Sequence, residues 1–218
     1  MRGGSFDENS VYVNGIEVHR PLLLRAGQQE GLSFVNPEMT ETVEFSAGGF
    51  DAQYGDKMSS VLDITYKRPR ATEAMLSASL LGANAYVGFG NERHSEMHAI
   101  RYKTSKYMLG ALPTAGSYQP NFLDYQTFMT WKTGTKDKEP RLSVSGLKKG
   151  QWELSLMGNV SQNTYRFIPD SLSQAYGTFM DSKKLTIYYE GQEKDIFRTA
   201  FAAFGAKGNV GQGVEIGF

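Results

Sequence analysis

Histidine pairs are the first candidates for chemistry in this chain, because His94 and His98 lie four residues apart. On a helix, that spacing places two imidazoles on one face, where they can bind zinc. The residues around them alternate between polar and apolar, as in a strand, in which positions four apart are separated by roughly 13 Å. The sequence therefore predicts no metal site, and His19 is expected to be a surface residue.

Two other stretches look like nucleotide or nucleic-acid sites. The glycines from Gly208 to Gly213 are not followed by Gly-Lys-Ser/Thr and do not join a strand to a helix, so a hairpin turn is expected there. Basic and aromatic residues interleave from Arg101 to Tyr107, as they do on single-strand nucleic-acid surfaces and at membrane interfaces. Lys+Arg and Asp+Glu both number 23, and this zero net charge favours the membrane interface over nucleic acid.

Catalytic patterns are missing from the sequence. The chain has no cysteine, which excludes disulfides, thiolate metal sites and cysteine nucleophiles. It has no Gly-x-Ser-x-Gly elbow and no spaced pair of carboxylates that suggests an acid and a base. The sequence therefore predicts neither an enzyme nor a bound cofactor.

The elements up to residue 69 form a small mixed unit. VYVNGIEV is typical of two strands joined by an Asn14-Gly15 turn, the strongest short hairpin signal. Asn36 precedes Pro37, as an N-cap precedes the first residue of a helical turn. A strand is expected from Thr40 to Phe45.

From about residue 71 the chain alternates with period two, which indicates strands. Residues 152–163 are the clearest case, with Trp152, Leu154 and Val160 on one face and Glu153, Asn159, Ser161 and Asn163 on the other. Roughly seven to nine strands of about 9–11 residues fit this region. Loops are expected at 105–120 and 167–177. The 24 glycines and abundant aromatics suit a β-barrel, and no apolar run approaches the ~20 residues of a membrane-spanning helix.

One junction carries a family resemblance. FSAGGFDAQYGDKMSSVLDITYKRP (45–69), together with RGG at residues 2–4 and VYVNGIEV, resembles the end of the plug domain of TonB-dependent outer-membrane receptors, in particular those of Bacteroidetes-type bacteria. The resemblance implies structural or gating roles for the residues of this plug motif: Arg2, Gly3, Asn14, Gly15, Glu44, Gly48, Gly49, Tyr54 and Gly55. Positive φ angles are expected at Gly48, Gly49 and Gly55, where the plug must turn tightly.

The resemblance also implies an architecture and a function. Residues 1–69 would be the C-terminal part of a partial α+β plug domain, and residues 70–218 the first antiparallel strands of an incomplete transmembrane β-barrel. The chain would then be a piece of a Gram-negative outer-membrane transporter that imports a scarce solute: an iron chelate, cobalamin or a glycan. Its partners would be the TonB–ExbB–ExbD system, the solute and outer-membrane lipid, with no nucleic acid. A surface lipoprotein as a further partner stays open.

Two alternatives remain at the level of sequence. Period-two alternation also suits a soluble β-sandwich binding module, for instance one that binds carbohydrate. A complete eight-stranded barrel would leave residues 1–69 without a role. The first alternative predicts a dry apolar core, whereas a barrel predicts a polar inner face and an apolar outer one.

Overall fold

The computed structural model describes residues 9–19, 33–49, 54, 59–104, 116–133, 151–178, 181–188, 191, 193–211 and 214–217. Apart from the one-turn 3-10 helix Pro37–Met39, the regular elements in these ranges are strands. The predicted mainly β class is therefore confirmed. Within the same ranges, no helix is long and apolar enough to cross a membrane.

The first four strands form a mixed sheet, called here the small sheet. Its strands are β1 (Asn9–Val13), β2 (Ile16–Glu17), β3 (Thr40–Ser46) and β4 (Ser60–Tyr66). Their order is β2-β1-β4-β3, with β1 parallel to β4 and the other neighbours antiparallel. The predicted hairpin at VYVNGIEV is confirmed, because β1 and β2 pair on either side of the turn.

The single helical turn begins where the sequence predicts it. The Asn36 side chain accepts the backbone N–H of Glu38 at 3.0 Å, which satisfies one of the free donors of the turn. Pro37 occupies the start, where its missing N–H costs nothing. The turn ends at once in β3, so the helical content of this unit is small.

The remaining strands form mainly one antiparallel meander, called here the large sheet. Its order is β13-β12-β9-β8-β7-β6-β5, and the hairpin β10–β11 stands apart between β9 and β12. The sheet does not close, since among the described strands nothing pairs with the outer edges of β5 and β13. The bounds are β5 Glu73–Ser79, β6 Gly82–Gly90, β7 His94–Thr104, β8 Gly116–Thr133, β9 Trp152–Pro169, β10 Leu172–Thr178, β11 Asp181–Ile187, β12 Glu193–Gly211 and β13 Val214–Gly217.

Three strands are longer than predicted. β8 and β9 have 18 residues each and β12 has 19, against the 9–11 that cross a bilayer. The predicted loop at 167–177 is wrong, because β9 and β10 occupy most of it. The predicted loop at 105–120 is wrong from Gly116 onward, where β8 begins. The predicted turn at Gly208 is also shifted, because Gly208–Gly211 is still strand before β13 pairs back.

The small sheet packs against one face of the large sheet, called here the inner face. Buried side chains of both sheets form one cluster, made of Val13, Val18, Phe34, Met39, Ile64 and Tyr66 with Tyr86, Met97, Ala99, Phe128 and Met157. Between these apolar contacts the inner face is polar. Most exposed apolar side chains in the strands of the large sheet lie on the opposite, outer face, and Met75 and Phe197 on the inner face are the exceptions. This arrangement puts polar groups of the large sheet where the two sheets meet.

Candidate functional site

An ion pair lies at the centre of the contact between the sheets. Arg101 on β7 and Asp124 on β8 are directly paired in the antiparallel register, so both side chains leave the same face. Arg101 Nε lies 2.8 Å from Asp124 Oδ1, and Arg101 Nη2 lies 3.1 Å from Oδ2. Both residues are buried. A buried pair of this kind is stable only when its remaining donors and acceptors are also satisfied.

The remaining donors of the pair hold the chain segment that precedes the helical turn. Arg101 Nη2 donates to the carbonyl of Ser33 at 2.9 Å, and Nη1 donates to that of Val35 at 3.2 Å. Gln126 Nε2 donates to the carbonyl between them, that of Phe34, and to Asp124 Oδ2 at 2.8 Å. Three consecutive backbone carbonyls thus accept hydrogen bonds from side chains on the inner face of the large sheet.

Tyr66, the last residue of β4, extends this network into the small sheet. Its hydroxyl donates to Gln126 Oε1 at 3.2 Å, and its ring meets the ring of Phe128 edge-on at 5.9 Å. Burial raises the pKa of the Tyr66 hydroxyl well above its ordinary value, because the phenolate would lose its hydration. The hydroxyl therefore remains a neutral donor. Together with Ser33–Val35, the side chains of Tyr66, Arg101, Asp124 and Gln126 are called here the latch.

Two contacts flank the latch. Asn36 and Asn84 exchange side-chain amide hydrogen bonds at 3.3 Å, joining the helical turn to β6. Phe34 packs its ring against Phe201 of β12, with centroids 5.0 Å apart. The segment 33–36 is therefore fixed to strands on both sides of the ion pair.

A second polar contact lies where the small sheet runs into the large one. Arg68, two residues after β4, donates to Glu153 Oε2 at 2.8 Å. Lys132 Nζ lies 3.8 Å from the same oxygen. Pro69 then crosses β6 so closely that a Cβ at Gly90 would lie 1.9 Å from the Pro69 carbonyl oxygen. The glycine is thus required by a close approach of backbone to backbone.

Of the residues predicted from the plug motif, Asn14 is the one that joins the latch. It has φ of 53° and Gly15 has φ of 80°, as the tight hairpin requires. The side-chain oxygen of Asn14 accepts the backbone N–H of Tyr66 at 2.9 Å. A cap on the last residue of β4 therefore positions the tyrosine hydroxyl toward Gln126.

The other predicted residues lie away from the latch. Gly48 and Gly49 have positive φ, as expected, but they are exposed and have open space where a Cβ would lie. Glu44 is exposed on β3. Tyr54 contacts the Tyr12 ring, with centroids 5.0 Å apart, and donates to Asp63. Arg2, Gly3 and Gly55 lie outside the described residues.

The latch residues on the large sheet were missed by sequence reasoning. The alternation around Arg101 and Asp124 shows that each belongs to a polar face, but each looks like a solvated position. Opposite charges at matching positions of neighbouring strands were the available signal. Sequence alone gives no register between β7 and β8, which are separated by residues 105–115, and register decides which charges meet.

The histidine pair takes part in no metal site in the described ranges, where no group of three His, Cys, Asp or Glu is placed to bind a metal. His94 Nε2 lies 3.1 Å from Glu96 Oε2, and His98 Nδ1 lies 2.8 Å from the Tyr125 hydroxyl. Both histidines are on β7 in an extended strand, as the alternation predicts.

One comparison with known proteins gives a match. Residues 1–61 match the family model of the TonB-dependent receptor plug domain. No curated protein and no solved structure matches the chain. The match covers the small sheet as far as the first residues of β4, and it supports a relationship to TonB-dependent receptors.

Proposed function

We propose that this chain supplies part of the plug and part of the barrel wall of a TonB-dependent receptor that imports a scarce solute. Residues 1–69 are assigned to the C-terminal part of the plug, and residues 70–218 to the first strands of the wall. The observation that carries this proposal is the polarity of the large sheet. Its polar face is covered by the small sheet, and its apolar face is exposed.

The two faces of β8 and β9 illustrate the polarity. Asp124 and Gln126 are each 1% exposed, whereas Tyr125, which lies between them on β8, is 42% exposed and Val160 on β9 is 59% exposed. A β-sandwich in water would bury the apolar side chains and solvate the polar ones. A barrel wall in lipid does the opposite. The sandwich alternative therefore has no support in these strands.

The lengths of the connections suggest which end faces the periplasm. At the end where Pro69 enters, residues 91–93 and 212–213 are short connections, whereas the connection between β8 and β9, residues 134–151, is long. At the other end, residues 105–115 and the excursion that contains β10 and β11 are long, and residues 80–81 are short. Two of the three connections are therefore short at the Pro69 end, and two of the three are long at the opposite end. Outer-membrane barrels have short periplasmic turns and longer extracellular loops. We assign the Pro69 end to the periplasm.

In this proposal the latch holds the plug against the barrel wall until the TonB–ExbB–ExbD system supplies energy. Its hydrogen bonds involve a charged guanidinium and a carboxylate, and such bonds contribute about 1.5–3 kcal/mol each. The outer membrane has no energy source of its own, so force transmitted by the TonB–ExbB–ExbD system would break these bonds and displace segment 33–36. No step requires a catalytic residue.

The finer assignments belong to the same proposal. The solute would be an iron chelate, cobalamin or a glycan, bound from outside the cell, and outer-membrane lipid would contact the apolar face. The Bacteroidetes-type resemblance of the plug motif supports a source among those bacteria. A surface lipoprotein is proposed as a further partner. The plug-motif residues Arg2, Gly3, Glu44, Gly48, Gly49, Tyr54 and Gly55 are proposed to shape or gate the plug.

A reversible cross-link tests the proposal. The chain has no cysteine, so Asn36→Cys with Asn84→Cys introduces a single pair beside the latch, between the segment it holds and β6. The matched control is Ser173→Cys with Thr186→Cys, whose hydroxyls lie 2.8 Å apart within the β10–β11 hairpin. The readout is TonB-dependent uptake of labelled ferric chelates, cobalamin and oligosaccharides by cells that carry the full-length gene, compared with cells that lack it.

We expect oxidation to abolish uptake in the Asn36/Asn84 variant, reductant to restore it, and the hairpin control to transport in both states. Normal uptake with the Asn36/Asn84 variant fully cross-linked would contradict the gating role. A product found in the soluble fraction, with no solute taken up in a TonB-dependent way, would contradict the transport function itself.

A further inference from the structure

A basic pocket lies at the proposed periplasmic end of the large sheet, outside the latch. It encloses about 280 Å³, and its lining includes four cationic side chains: Arg68, Arg70, Arg93 and Lys132. Glu92 is the one acidic residue in the lining. The four cations come from three separate segments: the linker after β4, the turn between β6 and β7, and the end of β8. This surface is called here the rim pocket.

The backbone around the rim pocket is firmly held. Asn91 Oδ1 accepts the backbone N–H groups of Arg93 at 2.8 Å and of His94 at 3.0 Å, which fixes the turn. The N–H of Lys132 donates to the carbonyl of Arg93 at 2.7 Å, which ties the turn to β8. The close approach of Pro69 to Gly90 fixes the linker. The fold of the backbone therefore brings the four cationic side chains together.

The positive charge of the rim pocket is only partly neutralised. Glu153, just behind the lining, is shared by Arg68 at 2.8 Å and Lys132 at 3.8 Å. Arg70 and Arg93 are exposed, and neither has an ion-pair partner in the described part of the chain. Two guanidinium groups therefore remain available to an anion beside two cations that share one carboxylate.

We propose that the rim pocket binds a phosphate group. Guanidinium groups match phosphate oxygens with paired donors, and the neighbouring lysine adds a point charge. His94, also in the lining, places its ring 5.5 Å from that of Trp131, and Trp152 is exposed at the same end of β9. Aromatic side chains of this kind are typical of the membrane interface, the depth at which phospholipid phosphates lie.

Two sources share this chemistry: a phospholipid headgroup of the periplasmic leaflet, and phosphate free in the periplasm. The headgroup as the source rests on the proposed outer-membrane function. The phosphate site itself rests only on the rim pocket. The experiment can therefore reject the headgroup as the source without rejecting the phosphate site.

The test uses the full-length gene product purified in detergent. Its affinity is measured by calorimetry for inorganic phosphate, for dioctanoyl phosphatidylglycerol, and for dioctanoylglycerol, which lacks the phosphate. The variant is Arg70→Gln with Arg93→Gln. The matched control is Lys184→Gln with Lys194→Gln, which removes the same charge from exposed positions of β11 and β12. Circular dichroism checks that both variants keep the parental fold.

We expect saturable binding of a phosphate probe, no binding of dioctanoylglycerol, and a loss of about fivefold in affinity for each cation removed. The double arginine variant should therefore bind roughly 25-fold more weakly, and the lysine control as the parent does. Tighter binding of the lipid than of phosphate identifies a headgroup as the source, and the reverse order identifies soluble phosphate. Failure of both probes to bind, or equal losses in the two double variants, would overturn the site.

Discussion

The hydroxyl of Tyr66 and the side-chain oxygen of Gln126 meet at 3.2 Å although the two residues are 60 positions apart in the chain. Tyr66 ends the last strand of the small sheet, and Gln126 lies in the middle of β8 of the large sheet. Both side chains are buried. The backbone N–H of Tyr66 donates to Asn14 of the small sheet, and the side chain of Gln126 donates to Asp124 of the large sheet. This contact joins the two sheets through groups that lose their partners when the sheets separate.

Removing one member of the buried ion pair should lower the free energy of unfolding far more than removing both. In Arg101→Met, Asp124 stays buried without its partner, and we expect a loss of about 3–5 kcal/mol in the free energy of unfolding. The double variant Arg101→Met/Asp124→Leu should lose clearly less, because no unpaired charge remains. Denaturant unfolding in detergent, followed by tryptophan fluorescence, measures both. Arg198→Gln, at an exposed hydrogen bond to Gln162, is the control and should change stability by less than about 1 kcal/mol.

Tyr66→Phe should destabilise the chain without disturbing its shape. The ring still packs against Phe128, but Gln126 Oε1 loses its donor in a buried place, at a cost of about 1–3 kcal/mol. Tyr176→Phe removes a hydroxyl from an exposed position on β10 and should be neutral. The same unfolding experiment compares the two. Equal stability of the two variants would mean that the Tyr66 hydroxyl does not hold the sheets together.

The raised pKa of Tyr66 predicts a decline of stability in alkali. Below the unfolded-state pKa of about 10 the hydroxyl is protonated in both states, so this residue adds no pH dependence. Above pH 10 the unfolded state loses the proton first, because burial keeps the folded-state pKa higher, and stability falls. Tyr66→Phe should remove this part of the decline. A pH series of unfolding curves from pH 8 to 11 measures it, and an unchanged slope in the variant would contradict it.

Gly90→Ala should be poorly tolerated. The new Cβ would lie 1.9 Å from the Pro69 carbonyl oxygen, so the linker or β6 must move. We expect a loss of at least about 2–3 kcal/mol, as for other overpacked sites. Gly191→Ala is the matched control, since nothing lies within 4 Å of its Cβ position. Thermal melts of the two variants in detergent give the comparison.

The sequence predicted the local features of this fold better than its long-range ones. The hairpin at Asn14-Gly15, the cap at Asn36 and the faces of β9 all follow from neighbours within a few residues, where turn geometry and side-chain alternation decide the outcome. The latch depends on the register of β7 against β8 and on how segment 33–35 crosses both. Those relationships arise only when the sheets pack, so Arg101 and Asp124 could be assigned to a polar face but not to each other.

The three atoms of segment 33–35 that accept hydrogen bonds from Arg101 and Gln126 are all main-chain oxygens. These hydrogen bonds therefore do not depend on the side chain at exposed position 33, whereas Phe34 and Val35 are also held by packing. Substitution at position 33 leaves the three hydrogen bonds intact. Selection or design can thus change the surface of the segment at this position without rebuilding its attachment to the large sheet.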